Sequence, residues 1–180
     1  MDKKTSKQEL RMEMARRRAE FVRDGKEVAL AAQRVMSGIE ALEAFGRAHT
    51  ILLYASLPDE LPTDGMIEKW SATKRIVLPV VAGDSLVLRE YRAGALEKGY
   101  RGIMEPSASC LQVLPSEIDF AVVPGVAFSP DGRRMGRGKG YYDRLLPQLR
   151  CPSVGVCFPC QVVSDVPCDT NDMKVESVIY

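Results

Sequence analysis

Residues 118–143 read IDFAVVPGVAFSPDGRRMGRGKGYYD. The apolar run Ile118–Val123 predicts a strand covered on both faces. Beyond it Gly136, Gly138 and Gly140 alternate with Arg137 and Lys139, and a helix is expected to begin near Tyr141. Strand, glycine-rich loop and helix in that order are a recurrent way to build an anion site. Bare backbone amides approach the anion closely, and the helix N-terminus adds partial positive charge. In an open α/β sheet such loops lie at the carboxyl ends of strands, where ligands bind. A phosphate-bearing ligand is the natural expectation, against a surface hairpin with solvated charges.

The same alternation of apolar runs and helical segments extends along the chain. Thr50–Ala55, Arg75–Pro79, Ser85–Arg89, Ser153–Cys157 and Val175–Ile179 read as further strands, with Gly83-Asp84 as a hairpin turn. Ser6–Asp24 reads as a helix with Leu10, Met14, Phe21 and Val22 on one face, and Lys26–Ala44 as a second. Thr63-Asp64-Gly65 marks the start of another, leading into Met66–Trp70. This pattern predicts an α/β fold: a single three-layer α/β/α domain over residues 1–180, with a mostly parallel, helix-covered sheet and two N-terminal helices.

The 180 residues are 46% hydrophobic and 27% charged, the balance of a globular protein, and 25 Lys+Arg against 24 Asp+Glu leave a net charge of +1. No global basic field draws the chain to nucleic acid, so an electropositive site must be local. No apolar run approaches the ~20 residues of a membrane span. The N-terminus lacks the apolar core of a secretion signal, so a cytoplasmic location is expected. Five cysteines, odd in number and clustered late, do not form a disulfide framework.

The glycine loop fails both familiar phosphate motifs. A Walker A loop needs Gly at position 133, which is Arg, and Ser or Thr at 140, which is Gly. The G-x-G-x-x-G fingerprint begun by Gly136 and Gly138 ends on Tyr141. Cys157-Phe-Pro-Cys160 has the CxxC spacing, but it follows a late strand and Pro159 and Pro167 leave little room for a regular helix. Arg16-Arg-Arg18 with the Arg/Gly loop raises a nucleic-acid alternative, against which stand the near-neutral total and the lack of interleaved aromatics. Asp143 falls in the first turn of the expected helix, where an acid either suits the macrodipole or holds Mg²⁺ beside a phosphate.

Pro124-Gly-Val-Ala-Phe128, Gly132 and Met135-Gly-Arg-Gly-Lys-Gly-Tyr-Tyr-Asp143 resemble the signature of the 5-formyltetrahydrofolate cyclo-ligase (methenyltetrahydrofolate synthetase) family. The resemblance extends through Lys7-x-x-Leu10-Arg11, Tyr54-x-Ser56-x-x-x-Glu60-x-x-Thr63 and Leu78-Pro79. It continues through Gly102-Ile-Met-Glu-Pro106, Gly155-Val-x-Phe158-x-x-Gln161 and Asn171-Asp-Met-Lys-Val175. It implies an ATP- and Mg²⁺-dependent closure of 5-formyltetrahydrofolate to 5,10-methenyltetrahydrofolate. The enzyme would be monomeric, with no nucleic-acid or membrane partner, on a folate with or without a polyglutamate tail. A relative that binds ATP and folate without this turnover is the alternative.

Carried over residue by residue, the resemblance implies catalytic roles for Arg137, Lys139 and Tyr141. It implies an ATP site from Lys7, Gln8, Glu9, Leu10 and Arg11 together with Arg134, Met135, Gly136, Arg137, Gly138, Lys139, Gly140, Tyr141 and Tyr142. The folate would meet Tyr54, Ala55, Glu60, Tyr100 and Arg101, and the stretch Arg137, Gly138, Lys139, Gly140 and Tyr141 would border its formyl group. Asp143 and Asp172 would hold Mg²⁺. Arg101 stands where the family often has an aromatic residue, with Tyr100 beside it. Ser129 and Asn171 stand where many relatives have Asp and His.

Overall fold

The first helix begins where its sequence supplies a cap. In the computed structural model, which describes residues 6–99 and 102–180, the Ser6 side chain accepts from the Glu9 amide and the Glu9 carboxylate from the Ser6 amide. Helix α1 then runs Lys7–Phe21. Asp24 caps α2 (Gly25–Glu40) by accepting from the amides of Lys26 and Glu27. The single helix expected over Lys26–Ala44 is therefore two. Leu42 is extended, and the short α3 (Glu43–Arg47) swings Phe45 into the core, its ring 4.6 Å from that of Trp70.

Strand β1 (Thr50–Leu52) is followed by α4 (Asp64–Ser71) and the hairpin β2 (Arg75–Ala82) and β3 (Ser85–Glu90). Next come β4 (Leu96–Lys98), β5 (Met104–Pro106), β6 (Gln112–Val113) and β7 (Phe120–Pro124). The chain continues with β8 (Ala127–Phe128), β9 (Arg134–Met135), α5 (Tyr141–Leu145), β10 (Ser153–Val156) and β11 (Ser177–Ile179). Seven strands form one sheet in the order β11-β10-β7-β1-β2-β3-β6. The four pairings from β11 to β2 are parallel, and β3 and β6 are antiparallel additions, so the sheet is mostly parallel. Strands β4 and β5, and β8 and β9, pair as two small separate sheets.

Side chains alternate across the sheet. Ile51, Leu53, Ile76, Leu78, Phe120 and Val122 pack under α2, α3 and α4. Leu52, Val77, Ala121 and Val123 face the other way, beneath Leu145 and Leu146. The expected first strand, Thr50–Ala55, ends early for a local reason. Tyr54 donates its hydroxyl to the Leu61 carbonyl and accepts at its own carbonyl from Thr63 Oγ1, which folds 55–62 back as a loop. From β1 the chain builds outward to β6 and then returns to place β7 on the opposite side of β1. Such a reversal leaves a crevice at the carboxyl ends of the two strands.

Candidate active site

The stretch after β7 contains an insertion that its sequence did not announce. Instead of running straight into the loop, the chain forms the β8–β9 hairpin. Its tip is Ser129-Pro-Asp-Gly132: Ser129 Oγ donates to Asp131, and the Gly132 amide to the Ser129 carbonyl. The loop proper is 136–140. Gly138 and Gly140 have φ of +95° and +67°, a region that β-carbon-bearing residues rarely adopt. Three side chains tie the loop down from outside. Arg11 Nε donates to the Gly136 carbonyl (3.1 Å), Tyr141 Oη to the Gly83 carbonyl (3.2 Å), and Arg144 Nη2 to the carbonyls of Lys139 (2.8 Å) and Asp84.

Helix α5 has only five residues, because Leu146 precedes Pro147 and the chain tightens into a 3₁₀ turn. The expected contribution of a helix dipole is correspondingly small, and positive charge here comes from side chains and loop amides.

The loop separates two pockets. The first opens at the crevice between β1 and β7 and is lined by Tyr54, Ala55, Leu57 and Glu60 from one side. Pro79, Val81, Leu86, Ile103 and Glu105 come from the β2–β3 and β5 region, and Arg134, Arg137, Lys139, Tyr141 and Tyr142 from the other side. The second is lined by Lys7 and Arg11 of α1, Met135, Gly138, Arg144, and residues 169–173. Gly136, Gly140 and Asp143 border both.

Most charged groups here are already paired. Arg134, 3% exposed, holds Asp143 Oδ1 at 2.7 Å, and the same oxygen accepts from the Met173 amide. Arg137 bridges Asp59 (2.7 Å) and Glu60 (2.9 Å); burial opposes its charge, but the two carboxylates outweigh that and raise its pKa. Lys7 pairs with Asp169 and Asp172. Burial opposes ionisation of both Lys7 and Asp172, yet their contact raises the lysine's pKa and lowers the aspartate's. Among the described residues the Lys139 ammonium has no hydrogen bond or ion pair, and Arg11 meets only a carbonyl. Tyr142 lines the first pocket, its hydroxyl buried and without a hydrogen-bond partner among the described residues, and burial raises its pKa.

The expected site residues divide by position. Tyr54, Ala55 and Glu60 line the first pocket with the loop residues. Of the five expected from α1, Lys7 and Arg11 reach the second pocket, because residues four apart share a helix face. Glu9 closes the cap, Gln8 is exposed, and Leu10 is buried against Met14, Val126 and Met135, so these three are not brought to the pockets. Asp143 and Asp172 both border the second pocket. Tyr100 and Arg101 lie outside the described residues. Cys157 and Cys160 are free thiols around a 3₁₀ turn, Cys157 buried with its pKa raised by desolvation.

Two residues were missed. Glu105, quoted only as part of a motif, is a buried carboxylate in the first pocket within reach of the Val81 amide (3.5 Å). Arg18, named only within the basic run Arg16-Arg-Arg18, is buried and contacts Asp59 at 3.0 Å. The spacing Leu10, Met14, Arg18 was the available signal.

Residues 3–180 match the 5-formyltetrahydrofolate cyclo-ligase family. The 5-formyltetrahydrofolate cyclo-ligase of Escherichia coli (strain K12) is 36% identical over 141 residues, 73% of this chain and 78% of that protein. The enzyme of the same name from Haemophilus influenzae is 32% identical over 142 residues, covering 74% and 76%. The NMR structure of Aquifex aeolicus 5,10-methenyltetrahydrofolate synthetase superposes with a TM-score of 0.86 at 33% identity, over 96% of this chain and 88% of that one. A 5,10-methenyltetrahydrofolate synthetase from Mycoplasma pneumoniae gives 0.77 at 25% identity, over 97% and 98%. Fold, loop and sequence agree: the chain belongs to the 5-formyltetrahydrofolate cyclo-ligase family.

Proposed function

We propose that this enzyme closes 5-formyltetrahydrofolate to 5,10-methenyltetrahydrofolate at the expense of ATP, with the folate in the first pocket and the nucleotide phosphates in the second. One observation carries the reading: the glycine loop and Asp143 border both pockets at once. A phosphoryl group passing from one ligand to the other must cross such a wall.

The γ-phosphoryl group of ATP moves to the formyl oxygen, forming a C–O–P linkage and releasing ADP. N10 of the folate then attacks the activated carbon and loses its proton, the C–O bond breaks, and phosphate leaves. Phosphoryl transfer asks the protein mainly for positioning and charge stabilisation. Among the described residues Lys139 has no ion-pair partner and Arg11 is bound only to a carbonyl, so both are ready to meet phosphate oxygens. Loop amides 136–140 add neutral donors. Arg137 reaches the transferring group once it leaves Asp59 and Glu60, and the released Glu60 carboxylate accepts from ring N–H groups of the pterin. Tyr141, fixed by its bond to Gly83, closes the mouth, and the apolar lining holds the flat ring system.

The residues fit Mg²⁺. Asp143 and Asp172 border the same pocket, and each uses one oxygen in its pairs, leaving Asp143 Oδ2 and Asp172 Oδ1 without hydrogen-bond partners among the described residues. One or two carboxylates with phosphate oxygens are the usual Mg²⁺ environment, and the ion would neutralise charge on the phosphates. The direct test mixes the protein with 5-formyltetrahydrofolate and MgATP and follows the ultraviolet absorbance of the methenyl product. ATP-dependent product is expected; its absence would sink the reading.

A further inference from the structure

Three consecutive arginines, Arg16–Arg18, lie in the second half of α1, and they do not share an environment. Arg16 and Arg17 lie on the surface and pair with Glu13 of the same helix. Arg18 is 3% exposed, because α1 packs against the 159–161 turn with Phe21 stacked 4.7 Å from Phe158. Its Nη2 contacts Asp59 Oδ2 at 3.0 Å, while Nε and Nη1 are buried without partners among the described residues. An arginine is rarely placed so deeply for packing alone.

The other oxygen of Asp59, Oδ1, is held by Arg137 at 2.7 Å, and Arg137 Nε also reaches Glu60 at 3.0 Å. Two guanidiniums and two carboxylates thus form a chain in the order Arg18, Asp59, Arg137, Glu60, with zero net charge. Burial pushes the Arg18 pKa down, Asp59 opposes that, and nearby Arg137 adds to it, so the two cations repel across the shared carboxylate. If Arg18 were neutral, Arg137 would be the sole counter-ion of two carboxylates and would be drawn toward them more strongly.

We propose that Arg18 is a positioning residue for Arg137: by claiming one oxygen of Asp59 it balances the acidic loop, so that Arg137 is held loosely enough to turn to the phosphoryl group. The role assigned to Arg137 rests on the function proposed above. The resting geometry does not, and it can be probed without turnover.

The test measures how fast phenylglyoxal modifies Arg137 in the free protein, located by peptide mass spectrometry, beside kcat and melting temperature. Arg18→Met is expected to slow modification of Arg137 and to lower kcat, each by roughly tenfold, the weight of one charged hydrogen bond. Arg18→Lys, which keeps the charge, and Arg18→Met with Asp59→Asn, which restores the balance, should both return to within about threefold of the parent. Asp59→Asn alone should speed modification, and carries the test even where Arg18→Met fails to fold. Unchanged Arg137 reactivity in Arg18→Met or in Asp59→Asn overturns the proposal. So does equal impairment of Arg18→Met and the double variant, which would mark packing, not charge. A parent protein that makes no methenyl product fails the proposed function, and the modification rates still decide this inference.

Discussion

The pocket on one side of the glycine loop is lined by Tyr54, Pro79, Val81, Leu86 and Ile103; the pocket on the other by Lys7, Arg11, Asp143, Asp169 and Asp172. The first takes much of its lining from strand ends and the loops that leave them, so the hydrogen-bond ladder and the core beneath determine its shape. The second takes its lining from a helix face, the loop and the irregular segment 169–173, joined by ion pairs such as Lys7–Asp172. A rigid apolar cleft suits a flat ring, whereas paired charges can be re-paired by an incoming polyanion. The difference lies in what holds each wall in place, and it can be attacked from either side.

The largest effect is expected at the shared wall. Asp143 is the carboxylate partner of Arg134, which is almost wholly buried. Asp143→Ala would leave that cation uncompensated, a loss of about 3–5 kcal/mol of stability. Asp143→Asn keeps an oxygen that accepts from Arg134 and the Met173 amide but not the negative charge, so it should lose clearly less stability than Asp143→Ala while losing turnover. Urea denaturation with the absorbance assay separates the two. If Asp143→Asn folds and keeps full turnover, Asp143 serves Arg134 alone and the Mg²⁺ role falls.

How far these regions were legible in the sequence follows the same division. The parallel core was readable because Ile118–Val123, Thr50–Ala55 and Arg75–Pro79 are largely apolar runs whose burial needs no knowledge of partners. The split of the second helix at Leu42 was not, since it depends on Phe45 docking against Trp70 and Phe120, residues far away in sequence. Helical spacing on α1 could have separated Lys7 and Arg11 from Leu10, but the resemblance carried all five residues as a block. The pairing of Arg137 with Asp59 and Glu60 spans nearly 80 positions, and no local pattern encodes it. Nothing was expected of Arg18 beyond its place in the basic run Arg16–Arg18, although its spacing from Leu10 and Met14 points to the interior.

On the charged side, Lys139→Ala should lower kcat by about 10²–10³-fold, the weight of one donor aimed at developing charge. The melting temperature should hardly move, because among the described residues the ammonium holds no hydrogen bond or ion pair. Arg11→Met should raise KM for ATP more than KM for the folate, and it also releases the Gly136 carbonyl. Comparable rises in both constants would mean that Arg11 shapes the loop rather than meeting the nucleotide, and the division between the pockets would blur.

The smallest effect is expected on the apolar side, at Tyr54. Its buried hydroxyl anchors the loop that carries Asp59 and Glu60, so Tyr54→Phe should lose about 1 kcal/mol at neutral pH and raise KM for the folate modestly, leaving KM for ATP alone. Burial lifts the Tyr54 pKa well above its ordinary 10.0, with Glu60 adding to the shift. The folded state therefore keeps a proton that the unfolded chain gives up in alkali. Its stabilising contribution is full below pH 10 and is lost as pH rises from there toward the folded value. The gap in urea midpoint between parent and Tyr54→Phe should narrow as pH climbs past 10. A gap that stays constant through that range would mean the phenol ionises as readily in the folded protein as in the unfolded chain, and the wall that carries Glu60 would then be open to water.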